Sequence, residues 1–138
     1  MRCVVQKVKK SSVTVNGKVV SKIGKGLNVL VGFTEGDSIK ELEYCVRKIV
    51  NLRVFEDENG EILVISQFTL YGDTRKGNRP SYIRALGGEK AEPLYEQFME
   101  LLNKHVPTKG GVFGADMKVS LTNDGPFTIV LDSKDLIK

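Results

Sequence analysis

Short apolar runs broken by polar and glycine positions make the first third of the chain read as antiparallel sheet. Residues 1–5 open directly into such a run. Val13-Thr14-Val15 and Lys18-Val19-Val20 flank Asn16-Gly17, a pair that favours a two-residue hairpin with positive φ at both turn positions. Gly24-Lys25-Gly26 then turns the chain into residues 27–33, a third strand, and three consecutive strands predict a meander. From Ser38 the period lengthens. Ser38 and Glu41 stand at capping-box spacing, and Ile39, Leu42, Cys45, Val46 and Ile49 recur on one helical face. Residues 52–55 predict a short strand, 56–60 a turn and 62–65 a buried strand. After a polar loop over 71–80, a second helix is predicted from near Glu89 with Pro93 in its first turn. Leu94, Tyr95, Phe98, Leu101 and Leu102 form its inner stripe, and Pro107 ends it. Gly110-Gly111 leads to Val112-Phe113, and two further strands, 117–121 and 127–131, are joined by a turn over 122–126. No repeat or linker divides the chain. Residues 1–138 therefore read as a single domain of α/β class, α+β type: mostly antiparallel sheet curled into a barrel, with two covering helices.

Composition narrows the function classes. A chain of 138 residues, 41% hydrophobic and 28% charged, suits one soluble core. No run approaches the roughly 20 apolar residues that span a bilayer, and the N-terminus lacks the apolar region of a signal peptide. The expectation is a cytoplasmic protein without a membrane partner. Cys3 and Cys45 lie in different elements, without CxxC spacing or a disulfide framework, and read as core residues. A net charge of +4 permits a polyanionic partner without requiring one.

Familiar catalytic groups are scarce, because the chain has one histidine and two cysteines. His105, near the end of the second helix, suits the helix dipole. Glu56-Asp57-Glu58 beside Asn59-Gly60 is explained by a turn and lacks calcium-loop spacing. Gly110-Gly111 with Gly114 is not a dinucleotide fingerprint. Neither a metal nor a cofactor is expected. What remains is Ser66-Gln67-Phe68-Thr69-Leu70, which clusters donors at the end of a buried strand. Such a cluster serves either its own backbone or a developing acyl oxyanion. Neither Ser66 nor Thr69 has a visible partner to make it a strong nucleophile. Gly125-Pro126 reads either as a simple turn or as a backbone wall facing a ligand, at a bond that adopts cis at modest cost. Arg75, Lys76 and Arg79 form either a solvated surface or a grip on RNA phosphates, which Lys7, Lys9 and Lys10 would extend.

These segments resemble a known family. Ser-Gln-Phe-Thr-Leu (66–70) and Asn-Asp-Gly-Pro-Phe-Thr (123–128) are similar to the two signature motifs of D-aminoacyl-tRNA deacylases. The opening Met-Arg-Cys-Val-Val-Gln-Lys-Val, Gly-Asp-Thr-Arg-Lys-Gly-Asn-Arg-Pro (72–80) and Gly-Val-Phe-Gly-Ala-Asp-Met (111–117) fit as well, in the right order. The resemblance implies a homodimer that hydrolyses the ester between a D-amino acid and the terminal adenosine of tRNA. Ser66, Gln67, Phe68 and Thr69 would line the reaction centre, and Phe113 and Met117 would hold the adenosine. Gly125 and Pro126, joined by a cis bond and flanked by Asn123 and Thr128, would form a selectivity element reaching into the other subunit. Two features depart from the family: Phe127 stands where Val is common, and the connection over 56–61 is short. Competing readings are a small basic RNA-binding module and an enzyme acting on free D-amino-acid esters or peptides. Neither predicts the two motifs together.

Overall fold

The computed structural model describes residues 1–52 and 60–137. The strand expected over 52–55 and the acidic turn after it lie almost wholly outside the described residues. Strand β1 (Arg2–Val15) is the spine of the sheet. One of its edges pairs along nearly its whole length with β6 (Lys118–Asp132). The other edge is shared. β3 (Gly26–Gly32) takes the stretch from Arg2 to Val8, and β2 (Lys18–Ile23) takes the stretch from Ser11 to Val15. The expected meander is thus corrected: β2 and β3 do not pair, because a 14-residue β1 seats both on one edge. The hairpin itself is as expected, with φ of 50° at Asn16 and 78° at Gly17.

β4 (Glu61–Ser66) runs parallel to β3, and β5 (Thr108–Gly110) runs parallel to β4. Each of these pairs is bridged by a helix, α1 (Ile39–Val50) or α2 (Gly88–Asn103), and a helical crossover returns the chain in the same direction. The short, polar β5 has no apolar alternation by which the sequence could reveal it. Across the far ends of the sheet, Ser21 Oγ donates to the Gly110 carbonyl at 2.6 Å and Lys109 Nζ to the Lys22 carbonyl at 3.0 Å. These contacts draw β2 toward β5, and the sheet nearly closes into a barrel.

Two apolar layers result. Cys3, Val5, Leu27, Val29, Val31, Ile62 and Val64 face the helices and meet Leu42, Cys45, Ile49, Phe98 and Leu102. Val8, Val13, Ile23, Leu63 and Ile65 fill the inside of the curl. In α1, the N–H and hydroxyl of Ser38 each donate to the Glu41 carboxylate at 2.8 Å. Ile39, expected on the buried stripe, is 46% exposed because it occupies the first helical position, before the helix settles onto the sheet. In α2 the buried stripe is Ala91, Tyr95, Phe98 and Leu102, with Leu94 and Leu101 packed at its margins. Pro93 falls in the second turn, not the first, since the helix starts at Gly88.

The largest correction concerns the last third. The two strands expected over 117–121 and 127–131 are one strand, β6, of 15 residues. Gln6 pairs with Thr128 and Val8 with Asn123, so residues 124–127 stand opposite Lys7 alone. Both halves of β6 follow the same edge of β1 in the same direction. The segment around Gly125 and Pro126 therefore loops out as a wide bulge and does not reverse the chain. The peptide bond between Gly125 and Pro126 is cis.

Candidate active site

β3 and β4 end side by side, at Gly32 and Ser66. The chain then folds back in a short 3-10 turn, Phe68–Tyr71. The turn crosses β3 closely: a Cβ at Gly32 would lie 2.9 Å from the Gln67 carbonyl oxygen. Gln67 N–H is held by the Val31 carbonyl at 2.7 Å. The next two N–H groups, of Phe68 and Thr69, begin the turn and find no acceptor among the described residues. Gln67 Nε2 donates to Thr69 Oγ1, tying the two side chains together. Arg2 braces the turn from behind. Its Nη1 donates to the Leu70 carbonyl at 2.9 Å, its Nε to Asp132 at 2.9 Å, and its guanidinium lies 4.6 Å from the Tyr71 ring centre.

Ser66, Gln67 and Phe68 open onto a cavity of about 610 Å³. Phe113 and Met117 line it too, and Phe68 packs edge-on against Tyr82 with ring centres 5.1 Å apart. Tyr95 holds Phe113 from beneath, at a centroid distance of 5.8 Å. The Tyr95 hydroxyl donates to the Val64 carbonyl at 2.8 Å, and burial pushes its pKa up to about 12. A Cβ at Gly111 would lie 2.5 Å from Met117 Sδ, so glycine there leaves room for the methionine to fold inward. The start of α2, Gly87 and Gly88, also borders the cavity without a side-chain cap. The positive end of that helix dipole therefore faces the space. Asp116 is the one carboxylate among the lining residues.

The fold thus brings Ser66, Gln67, Phe68, Phe113 and Met117 to one cavity. Thr69 is exposed and joined to the group through Gln67, but it is not part of the lining. Asn123, Gly125, Pro126 and Thr128 do not line the cavity of their own chain. Their bulge stands beside Lys7, whose row continues toward Ile62, four residues before Ser66. At the usual strand rise and spacing, that is about 13 Å along the strands and about 14 Å across them. Asn123 is occupied: its amide donates to the Lys7 and Phe127 carbonyls, both at 3.0 Å, and pins the bulge shut. Gln6 Nε2 donates to Thr128 Oγ1 at 3.2 Å. In the basic loop, Arg75 is clasped by Asp73 at 2.6 Å, which pulls the Asp73 carboxyl down to about 2. Lys76 and Arg79 are exposed on that loop, and His105 is exposed beyond α2, outside the cavity lining. Among the described residues, no group of three or more potential metal ligands assembles, and no helix is long and apolar enough to cross a membrane.

Sequence reasoning missed Tyr82, Asp116 and the Gly87-Gly88 helix start. Tyr82 sits in an aperiodic loop that offers no pattern. Two glycines directly before an amphipathic helix were the available sign of an uncapped terminus.

Comparison with known proteins completes the picture. Residues 4–132 match the D-Tyr-tRNA(Tyr) deacylase family. A D-aminoacyl-tRNA deacylase of Clostridium acetobutylicum is 58% identical over 146 aligned positions, covering 97% of this chain and 98% of that protein. A second, from Clostridium novyi, is 53% identical with the same coverage. An alignment of 146 positions against 138 residues means that the relative carries residues this chain lacks. A solved structure named c-Myc DNA Unwinding Element Binding Protein superposes with a TM-score of 0.87 at 48% identity, covering 96% of this chain and 98% of that one. A probable eukaryotic D-amino acid tRNA deacylase shares the fold, with a TM-score of 0.81 at 18% identity over 94% of this chain and 97% of that one. Motif order, cavity and near-complete alignment agree, and the chain belongs to the D-Tyr-tRNA(Tyr) deacylase family.

Proposed function

We propose that this hydrolase, a D-aminoacyl-tRNA deacylase by family, cleaves the ester at the 3′ end of D-aminoacyl-tRNA and rejects the L-form with a backbone corner, Gly125-Pro126, supplied by a second copy. One observation carries the chemistry. The unpartnered Phe68 and Thr69 N–H groups stand at the end of β4 beside an apolar cavity large enough for a terminal nucleoside. Two such donors suit the negative charge that develops on an ester carbonyl during attack. Phe113 and Met117 offer apolar surface to the adenosine, and Asp116 offers a counter-charge to the α-ammonium.

Thr69 is a poor nucleophile here. Its hydroxyl accepts a hydrogen bond from the Gln67 amide, which withdraws electron density, and among the described residues no base is hydrogen-bonded to it. The ribose 2′-hydroxyl of the substrate, activating water or attacking the ester directly, is the simpler source of the attacking oxygen.

Selectivity poses a harder problem, since the enantiomers carry identical groups. An attractive pocket separates similar substrates weakly: one methylene is worth about 1–3 kcal/mol. A rigid wall that leaves no room for an L side chain excludes the abundant substrate instead. The bulge of β6 supports that role. It is pinned by Asn123, and Gly125 presents bare main chain. The bulge lies about 13 Å along the strands and about 14 Å across them from Ser66 of its own chain, which favours a dimer in which the corner reaches the reaction centre in trans. Glycine has no side chain to exclude, so glycyl-tRNA is accepted under the same logic.

The test is deacylation of D-tyrosyl-, L-tyrosyl- and glycyl-tRNA under one set of conditions. The first and third are expected to be hydrolysed and the second spared. Rapid hydrolysis of the L-form overturns the wall, and inertness toward all three overturns the activity.

A further inference from the structure

The second half of β1 and its neighbours carry a feature that the cavity chemistry does not use. Ser11 and Val13 are buried inside the curl, so Lys10, Ser12 and Thr14 point to the outer face. Register places Thr122 opposite Lys10, Ser120 opposite Ser12 and Lys118 opposite Thr14 on β6, with Lys22 of β2 flanking Ser12 on the other side. Cross-strand partners share a face. Three lysines and four hydroxyl side chains therefore form one patch, and no carboxylate lies in its rows. Lys10, Lys22 and Lys118 are exposed, and none makes an ion pair among the described residues. Lys109, beside Lys22, is already neutralised by Glu61 at 3.4 Å. Among the described residues, neither α1 nor α2 packs to any extent on β2 or β6. A shallow concavity of about 320 Å³ lies among these strands, lined by Lys10, Ser12, Lys22, Ser120 and Thr122 together with Ser11, Ile23 and Leu121.

Position gives the patch its meaning. Met117 and Val119 line the catalytic cavity, and Lys118 between them faces the opposite way, so the patch begins at the cavity rim. From there it extends four residues along β6 to Thr122, about 13 Å at strand rise. Arg75, the most obvious cation of the 72–80 loop, is spent on Asp73. We propose that the outer face of β2, β1 and β6, centred on Lys10, Lys22 and Lys118, binds the sugar–phosphate backbone of the substrate tRNA while its 3′ end occupies the cavity. Lysines and hydroxyls without base-reading aromatics are the groups that grip phosphates irrespective of sequence, as suits an enzyme that must act on tRNAs of different sequence. This rests on the activity proposed above and adds where the RNA body lies.

The experiment compares two substrates, D-tyrosyl-tRNA and D-tyrosyl-adenosine, for the wild type and for the combined Lys10→Gln, Lys22→Gln, Lys118→Gln variant. The variant is expected to lose about tenfold or more in kcat/KM on tRNA at moderate salt, chiefly through KM, with the salt dependence of log kcat/KM shallower by about 2. Its rate on D-tyrosyl-adenosine should match the wild type, which also reports an intact fold and cavity. An unchanged tRNA rate and salt slope overturn the proposal. So does an equal loss on both substrates, which would assign the lysines to the cavity and not to the RNA body. Failure of the wild type on D-tyrosyl-tRNA would be a separate result, against the proposed activity itself.

Discussion

Replacing Asn123 by alanine separates a residue that touches substrate from one that holds the corner in place. The Asn123 amide makes two hydrogen bonds, to the Lys7 and Phe127 carbonyls at 3.0 Å each, and these close the loop of residues 124–127. Both are exposed, so each contributes about 0.5–1 kcal/mol, the lower part of the usual range. The variant therefore frees the corner at a cost of about 1–2 kcal/mol. If the corner excludes L side chains by rigidity, that same energy is lost from discrimination. At 1.36 kcal/mol per tenfold in rate, the D-to-L ratio falls roughly 5- to 30-fold. The loss should come almost entirely from faster L-hydrolysis. On the proposed reading D-tyrosyl-tRNA avoids the corner, so its kcat/KM should stay within about twofold to threefold. The assay is initial-rate deacylation of both enantiomers, with thermal unfolding run alongside. A Tm drop of a few degrees with an unchanged D-to-L ratio would confine Asn123 to stability and detach the bulge from selectivity. A collapse of the D rate would instead return Asn123 to the substrate-binding role that its motif suggests.

Three further outcomes follow from the same geometry. Thr69→Ala should retain its rate within about tenfold, whereas loss of a covalent nucleophile costs roughly 10⁴-fold or more; single-turnover deacylation decides between them. Gly26→Ala should destabilise the fold by about 3 kcal/mol or more, because its Cβ would collide with the Glu61 backbone where β3 meets β4; a urea midpoint within error of the wild type would refute that packing. Partial burial raises the Asp132 carboxyl, yet hydrogen bonds from Arg2 and the Lys134 N–H outweigh it and hold the group below the usual carboxylate range. A depressed folded value means stability that is present above the unfolded pKa, about 3.9, and lost as pH falls through the folded one. Asp132→Asn should therefore flatten the acid limb of stability below about pH 4, as read from urea midpoints across pH.

The fold was legible wherever local signals were strong. Asn16-Gly17 fixed the hairpin, and Ser38 with Glu41 fixed the start of α1. Pairing was less legible, because it depends on partners distant in sequence. Nothing local to residues 18–33 says that β1 is long enough to seat two strands on one edge, so a meander was the natural expectation. Residues 122–126 read as a turn between two strands because glycine and proline usually reverse a chain. Only β1 running on beyond it makes it a bulge. The cavity was half legible. Motif residues stood out because polar groups ended a buried strand, while Tyr82 and the bare start of α2 carry no unusual chemistry in sequence. Asn123 was recognised as part of the motif, but its attachment to Lys7 and Phe127 is a tertiary fact.

If the corner of one copy polices the cavity of another, as proposed, mixed dimers will reveal it. One protomer would carry Gly88→Trp, which fills the cavity from a site whose Cβ would stand 3.6 Å from Phe113. The other would keep its cavity but carry a corner loosened by Asn123→Ala. In the purified heterodimer the single working cavity faces the intact corner only if the corner acts in trans. With the corner acting in trans, this heterodimer should hydrolyse D-tyrosyl-tRNA and reject the L-form as strictly as the wild type does. Selectivity as poor as that of the Asn123→Ala homodimer would contradict it.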